Sequence, residues 1–313
     1  MATSGSINLS ADGAAIVTEA LEQLSVLAEG QAPSAAQYTS CLRTLNMMLK
    51  AWQADPMGTN LFAIQKIYVF PQKAAKTVTL SSTGDHSTTS FAYTTVSTAA
   101  AANATSIVVN SATGIANGYN IGIEMSTGYL HWTTVSGAPV GTTITLASGV
   151  TSSVAAGATV YCYQTKANRP MEVLEAVRRT ASNESDTPLE RMNLRDYTTL
   201  TTKGTSSSVL QYYFEPQRTQ GVLTLWPVMS SVDDYIVLWV RRTLEDVDAS
   251  TDEVDYPQEW FMAIALNLAV LLAPKYGIPS GDFQKILLLA RMYKDMAESG
   301  DTETSFRIQP SEY

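Results

Sequence analysis

DYPQEWFMAIALNLAVLLAPKYG, residues 255–277, decides how the rest of the chain is read. From Trp260 to Ala273 the one strongly polar side chain is Asn267 and no residue is charged, so nearly every helical face is apolar. A helix of that kind in water must be covered on all sides by protein. It is too short to cross a bilayer, which takes about 20 apolar residues. Burial in a core or a subunit interface is therefore expected, with Trp260, Asn267, Leu268 and Leu272 as packing residues. Asp255 is placed to cap the first turn, Gln258 to complete a capping box, and Pro257 falls where a missing N–H costs nothing. Pro274 and Gly277 mark the end. Asn267 either finds a backbone partner nearby or fixes the register between packed helices.

Working outward, the segment Gly281–Ser299 carries Phe283, Ile286, Leu287, Ala290 and Tyr293 at helical spacing. Beyond it, Asp301–Tyr313 has no periodicity, and its spaced Phe306, Ile308 and Tyr313 suit a tail that orders on a partner. On the other side, six acids lie between Glu245 and Asp255. They fail the EF-hand pattern, because Thr251 stands where the turn glycine belongs and Pro257 where the closing glutamate belongs. Loop solvation and helix N-terminal electrostatics account for them.

The first part of the chain reads as two helices, residues 11–28 and a second begun by Ser34 with Tyr38, Cys41, Leu42, Leu45, Leu49 and Trp52 as its stripe. The short link between them implies an antiparallel hairpin. Ile64–Phe70 follows as a strand. The composition then breaks: from Thr77 to Tyr163 there is no Lys or Arg, and Asp85 and Glu124 are the acids. A weak repeat, TSIVVNSATGIANG at Thr105–Gly118 and TTITLASGVTSSVAAG at Thr142–Gly157, predicts a small barrel or sandwich inserted into a host domain. After it, Pro170 opens MEVLEAVRR, read as a helix with Glu172 and Glu175 toward solvent, and Val209–Phe214, Gly221–Trp226 and Asp234–Arg241 predict a small antiparallel sheet.

A formal net charge of −9 with 16% charged residues argues against a sequence-independent grip on nucleic acid, which rests on neutralised phosphates. Between Gln164 and Arg218 eight Lys/Arg, including Arg178, Arg179, Arg191, Arg195 and Lys203, face seven Asp/Glu, so ion pairing is the expectation there. The cysteines, Cys41 and Cys162, lack any metal-ligand spacing and are expected to be buried free thiols. The opening residues carry neither a basic nor an apolar leader region, which predicts synthesis in a cytoplasm, and no membrane segment is expected. No common catalytic or nucleotide-binding motif occurs; His86 and His131 read as structural residues, and no cofactor, metal or catalytic residue is assigned. Two rival classes are a glycan-binding module using Tyr119, Tyr129 and Trp132, and a cell-wall hydrolase, which would need paired carboxylates.

SVLAEGQAPSAAQYTSCLRTLNMMLKAWQADP, NRP, YYFEP with GVLTLWPV, and the quoted helix, in that order, resemble the head-to-tail adaptor (head completion, packaged-DNA stabilisation) proteins of short-tailed phages. The resemblance covers residues 8–72 and 164–300, and leaves the β insertion out. It implies a non-enzymatic virion protein made in the host cytoplasm, a ring expected to be dodecameric in the phage neck. Such a ring would join portal protein to tail nozzle and retain or conduct DNA that passes without specific binding. Phe306, Ile308 and Tyr313 become portal-contact candidates on the same basis. The fold class expected is α+β: a helical adaptor domain with a small antiparallel sheet (residues 1–73 and 164–300), an inserted all-β barrel or sandwich (74–163) and a C-terminal tail (301–313).

Overall fold

A computed structural model of the chain describes residues 11–54 and 61–301, with Gly5 and Leu9. The tail candidates Phe306, Ile308 and Tyr313 lie outside the described residues. Five α-helices occur among those described: α1 (Gly13–Gln23), α2 (Ala35–Gln53), α3 (Leu194–Thr199), α4 (Phe261–Tyr276) and α5 (Ser280–Gly300). The chain forms two units, one from the segments up to Ala63 and from Leu244 onward, the other Ile64–Thr243.

The first unit is helical. Asp12 caps α1 by accepting from the Ala15 N–H at 2.7 Å, and Ser34 caps α2 in a full capping box with Gln37. The expected cap on the apolar helix is not formed. Its first turn is a 3-10 turn, Gln258–Trp260, without a side-chain cap, and the Asp255 carboxylate accepts from the Glu245 N–H instead. Pro274 does not stop α4, because it lies on the exposed side where the lost bond opens to water; Gly277, with φ 66°, ends the helix in the left-handed conformation.

The second unit corrects the expected fold class. Among the described residues strand makes up 31% and helix 28%, and where one small sheet was expected the host strands form two larger sheets in a β unit of their own. An antiparallel five-stranded sheet runs in the order Ser185–Pro188, Pro170–Thr180, Asp234–Arg242, Ile64–Val69, Ser87–Thr88. A four-stranded sheet runs Glu190–Arg191, Gln211–Pro216, Gly221–Trp226, Thr77–Leu80. Ile67, Val69, Val173 and Leu238 of the first and Val78, Leu80, Tyr212 and Leu223 of the second share one core. Thr77–Leu80 and Ser87–Thr88, placed by composition in the insert, thus belong to the host sheets.

The decisive misreading was MEVLEAVRR, which is strand and not helix. Its pairing with Asp234–Arg242 shifts register twice, between Pro170 and Glu172 and between Val173 and Glu175. Each irregularity breaks the two-residue alternation, so Pro170, Val173 and Ala176 become the buried positions at a spacing of three. That spacing imitates a helix.

Ser206–Ser207 and Val228–Met229 pair as a two-stranded sheet, and the remaining strands make a six-stranded sheet in the order Leu130–Thr134, Asn120–Glu124, Thr159–Tyr163, Ala92–Thr98, Ser106–Val109, Thr143–Thr145. It curls until its edges meet, through a Val135–Leu146 bridge and Ser136 N–H donating to the Thr145 carbonyl. Val96, Ile107, Ile121, Ile123, Val160 and Cys162 fill the concave side.

Candidate functional site

The apolar helix α4 sits within the helical unit, with Trp260, Leu268 and Leu272 buried. Asn267 Nδ2 donates to the Ala263 carbonyl one turn back at 2.8 Å and to the Ala290 carbonyl of α5 at 3.2 Å. One amide therefore ties α4 to α5 and has no need of a ligand. Trp52, Phe62, Tyr256 and Trp260 pack as an aromatic cluster, with Phe62 and Tyr256 at 5.0 Å and Trp52 and Trp260 at 6.0 Å.

The acidic run has a structural occupation. Asp252 Oδ2 accepts from the Asp248 and Ala249 N–H groups at 3.0 and 2.7 Å, and its carbonyl accepts from Gly13 N–H at 2.9 Å, holding the loop on the first turn of α1. Asp246 pairs with Lys50 at 3.0 Å. Asn46 of α2 grips the same loop with both ends of its amide, Nδ2 to the Val247 carbonyl at 2.9 Å and Oδ1 from the Val247 N–H at 3.0 Å. A Cβ on Gly13 would lie 2.7 Å from Val247, so only glycine fits under the loop. Among the described residues no three His, Cys, Asp or Glu side chains are grouped to hold a metal ion.

What this unit leaves uncovered is apolar. On α5, Ile286, Ala290 and Ala297 turn inward, while Leu288, Met292 and Met296, four apart, are 70%, 46% and 62% exposed. Residues at that spacing form one stripe along a helix. Beside it lies an open groove of about 520 Å³ between α1, α4 and α5, lined by Ile16, Met262, Ala265, Tyr293 and Met296, with Glu19, Gln258 and Glu259 among its polar positions. The sequence reading missed both. Leu287-Leu288-Leu289 was the available signal, since three consecutive leucines span more of a helix than one core-facing stripe can bury.

In the β unit the strand Thr159–Tyr163 is buried on both faces. Val160 and Cys162 enter the curled sheet, whereas Tyr161 and Tyr163 enter an aromatic seam with Phe70, Tyr235 and Leu130. Phe70 lies 4.6 Å from Tyr161 and 5.2 Å from Phe91. His86 stacks on Trp132 at 3.7 Å, nearly parallel, and its Nδ1 lies 2.7 Å from the Tyr163 hydroxyl. Burial, aided by the Lys166 charge, lowers the imidazole pKa from 6.5 to about 4. Trp132 is therefore spent on the seam, Tyr119 packs partly against the curled core, and Tyr129 is half-exposed beside Lys73; the three do not make one platform.

The arginines pair. Arg179 makes two 2.6 Å bonds to Asp186, which hold that carboxyl below its ordinary range, Arg178 lies 3.6 Å from Asp234, and Glu172 accepts from Arg241 at 2.8 Å and faces Arg191 at 3.5 Å. Lys203 donates to the Thr198 and Leu200 carbonyls over the Tyr197 ring. Both cysteines are free and buried, and burial pushes the Cys162 thiol up to about 12. Trp226 donates to the Thr202 carbonyl at 3.0 Å. Among the described residues, no helix is long and apolar enough to cross a membrane. No known protein family matches the chain, and no curated protein matches it.

Proposed function

We propose that this chain is a structural subunit of a phage neck, assembling with copies of itself into a ring that joins portal protein to tail nozzle and lets packaged DNA pass without gripping it. The observation that carries the reading is the Leu288–Met292–Met296 stripe. Soluble monomers seldom leave such a contiguous apolar stripe uncovered, and a subunit in a closed ring has a neighbour to cover it. The adaptor resemblance of residues 8–72 and 164–300 supplies the partners, by analogy. Pairing of Arg178 with Asp234 and of Arg179 with Asp186 also favours a wall passive toward DNA, because each of those charges already faces a carboxylate of its own.

The test is sedimentation and negative-stain imaging of the purified chain, alone and with portal protein, beside a Leu288→Lys/Met292→Lys variant. Rings in the wild type, with portal or without, and a folded monomer in the variant are expected. A wild-type chain that stays monomeric in both conditions refutes the reading.

A further inference from the structure

The groove between α1, α4 and α5 is a second uncovered apolar feature, concave where the stripe is not, and shares Met296 with it. Its volume, about 520 Å³, falls in the range of about 300–1,000 Å³ typical of sites that enclose a ligand. Met262 and Met296 stand on its walls, 40% and 62% exposed, and methionine walls adapt to an irregular guest. Helix α5 delivers the chain to this place. Met296 and Ala297 line the groove, and one turn beyond Ala297 Asp301 is fixed by its carboxylate, which accepts the Leu61 N–H at 2.9–3.0 Å.

Residues 302–313 follow that anchor, reading TETSFRIQPSEY. Phe306 and Ile308 lie five and seven positions past Asp301, within a reach of roughly 17 and 24 Å for extended chain. Met296 lies five residues back along the helix, only about 8 Å away at the helical rise. Phe306 and Ile308 are large apolar residues of that segment, and the charge of Arg307 between them is complementary to Glu19 and Glu259 in the groove's lining.

We propose that in the free subunit this groove seats the chain's own segment Thr302–Tyr313, with Phe306 and Ile308 as its anchors. The segment is thereby stored on its own subunit and is surrendered only to a partner that offers it a better apolar surface. The inference concerns the single subunit and holds whether or not copies assemble into a ring.

The experiment is disulfide trapping in the full chain, in which Cys41 and Cys162 are buried and do not compete. Phe306→Cys is combined with Met262→Cys and, separately, with Leu9→Cys on another wall; Val140→Cys, 80% exposed in the other unit, is the control partner. A disulfide needs Cα atoms within about 7 Å. Intramolecular closure of either groove pair on the order of tenfold faster than the control pair is expected. Mixing two single-cysteine chains, Phe306→Cys with Met262→Cys, reads the alternative. Cross-links between chains without closure within one would mean that a second copy fills the groove. That outcome overturns the proposal, as does closure no faster than the control in both pairs.

Discussion

Lowering the pH should unlock the aromatic seam through one imidazole. His86 lies flat on Trp132 at 3.7 Å with its Nδ1 against Tyr163, and burial, then the Lys166 charge, brings its pKa from 6.5 to about 4. The folded pKa is the lower one, so between those values the unfolded chain binds a proton that the folded chain refuses. Stability is then fully present above pH 6.5, falls as pH drops through the window, and loses nothing more from this group below about 4. At about 1.4 kcal/mol per pH unit the window is worth at most about 3 kcal/mol. The assay is denaturant unfolding of the wild type and His86→Gln from pH 8 to pH 4, with the ring protons followed by NMR; with only two histidines in the chain, assignment needs one variant. The wild type should lose about 3 kcal/mol more than the variant across the window. Parallel stability profiles, or a His86 ring that titrates near 6.5, would refute the reasoning.

Other substitutions probe the remaining contacts. Leu268→Ala, in the fully buried face of α4, should cost about 2–5 kcal/mol by equilibrium unfolding of the helical unit. Gly122→Ala would bring a Cβ to 2.7 Å from the Trp132 ring; a loss of about 1–3 kcal/mol and a His86 pKa moved back toward 6.5 are expected, by denaturation and NMR. Phe70→Ala, at the centre of the seam, should cost about 3–5 kcal/mol and speed hydrogen exchange in Thr159–Tyr163. Excising Thr77–Tyr163 removes strands from two host sheets, so the shortened chain should lose cooperative unfolding of the β unit; a cut confined to Phe91–Tyr163 should be the milder of the two.

Some of this was legible before any coordinates. Helix α2 carries Cys41, Leu45 and Leu49 on a clean i, i+4 stripe with a Ser34 cap, and such a pattern has one physical solution. The strand Pro170–Thr180 was not legible, because two register shifts reset its alternation and left Val173 and Ala176 at a helix-like interval. Composition also misled at Thr77–Leu80: a Thr/Val strand at a sheet edge resembles the neighbouring insert, although its partner is Gly221–Trp226 more than a hundred residues away. The candidate surfaces were hidden for a related reason. Leu288 reads as core when burial is inferred from residue type, and only the placement of Ala290 and Ile286 shows which way α5 faces. The groove needs three helices from distant parts of the chain before it exists.

The strand Thr159–Tyr163 has no side that meets water. Mechanically, it behaves as a weld and not as a hinge. A load applied to the curled sheet would pass through Tyr161 and Tyr163 into Tyr235 and Phe70, and so into the paired strands Asp234–Arg242 and Ile64–Val69 of the five-stranded sheet. Swivelling at this point would require sliding an aromatic layer over itself while Val160 and Cys162 stay gripped from behind. Whatever the curled sheet touches, force and position are relayed to the rest of the β unit with little slack.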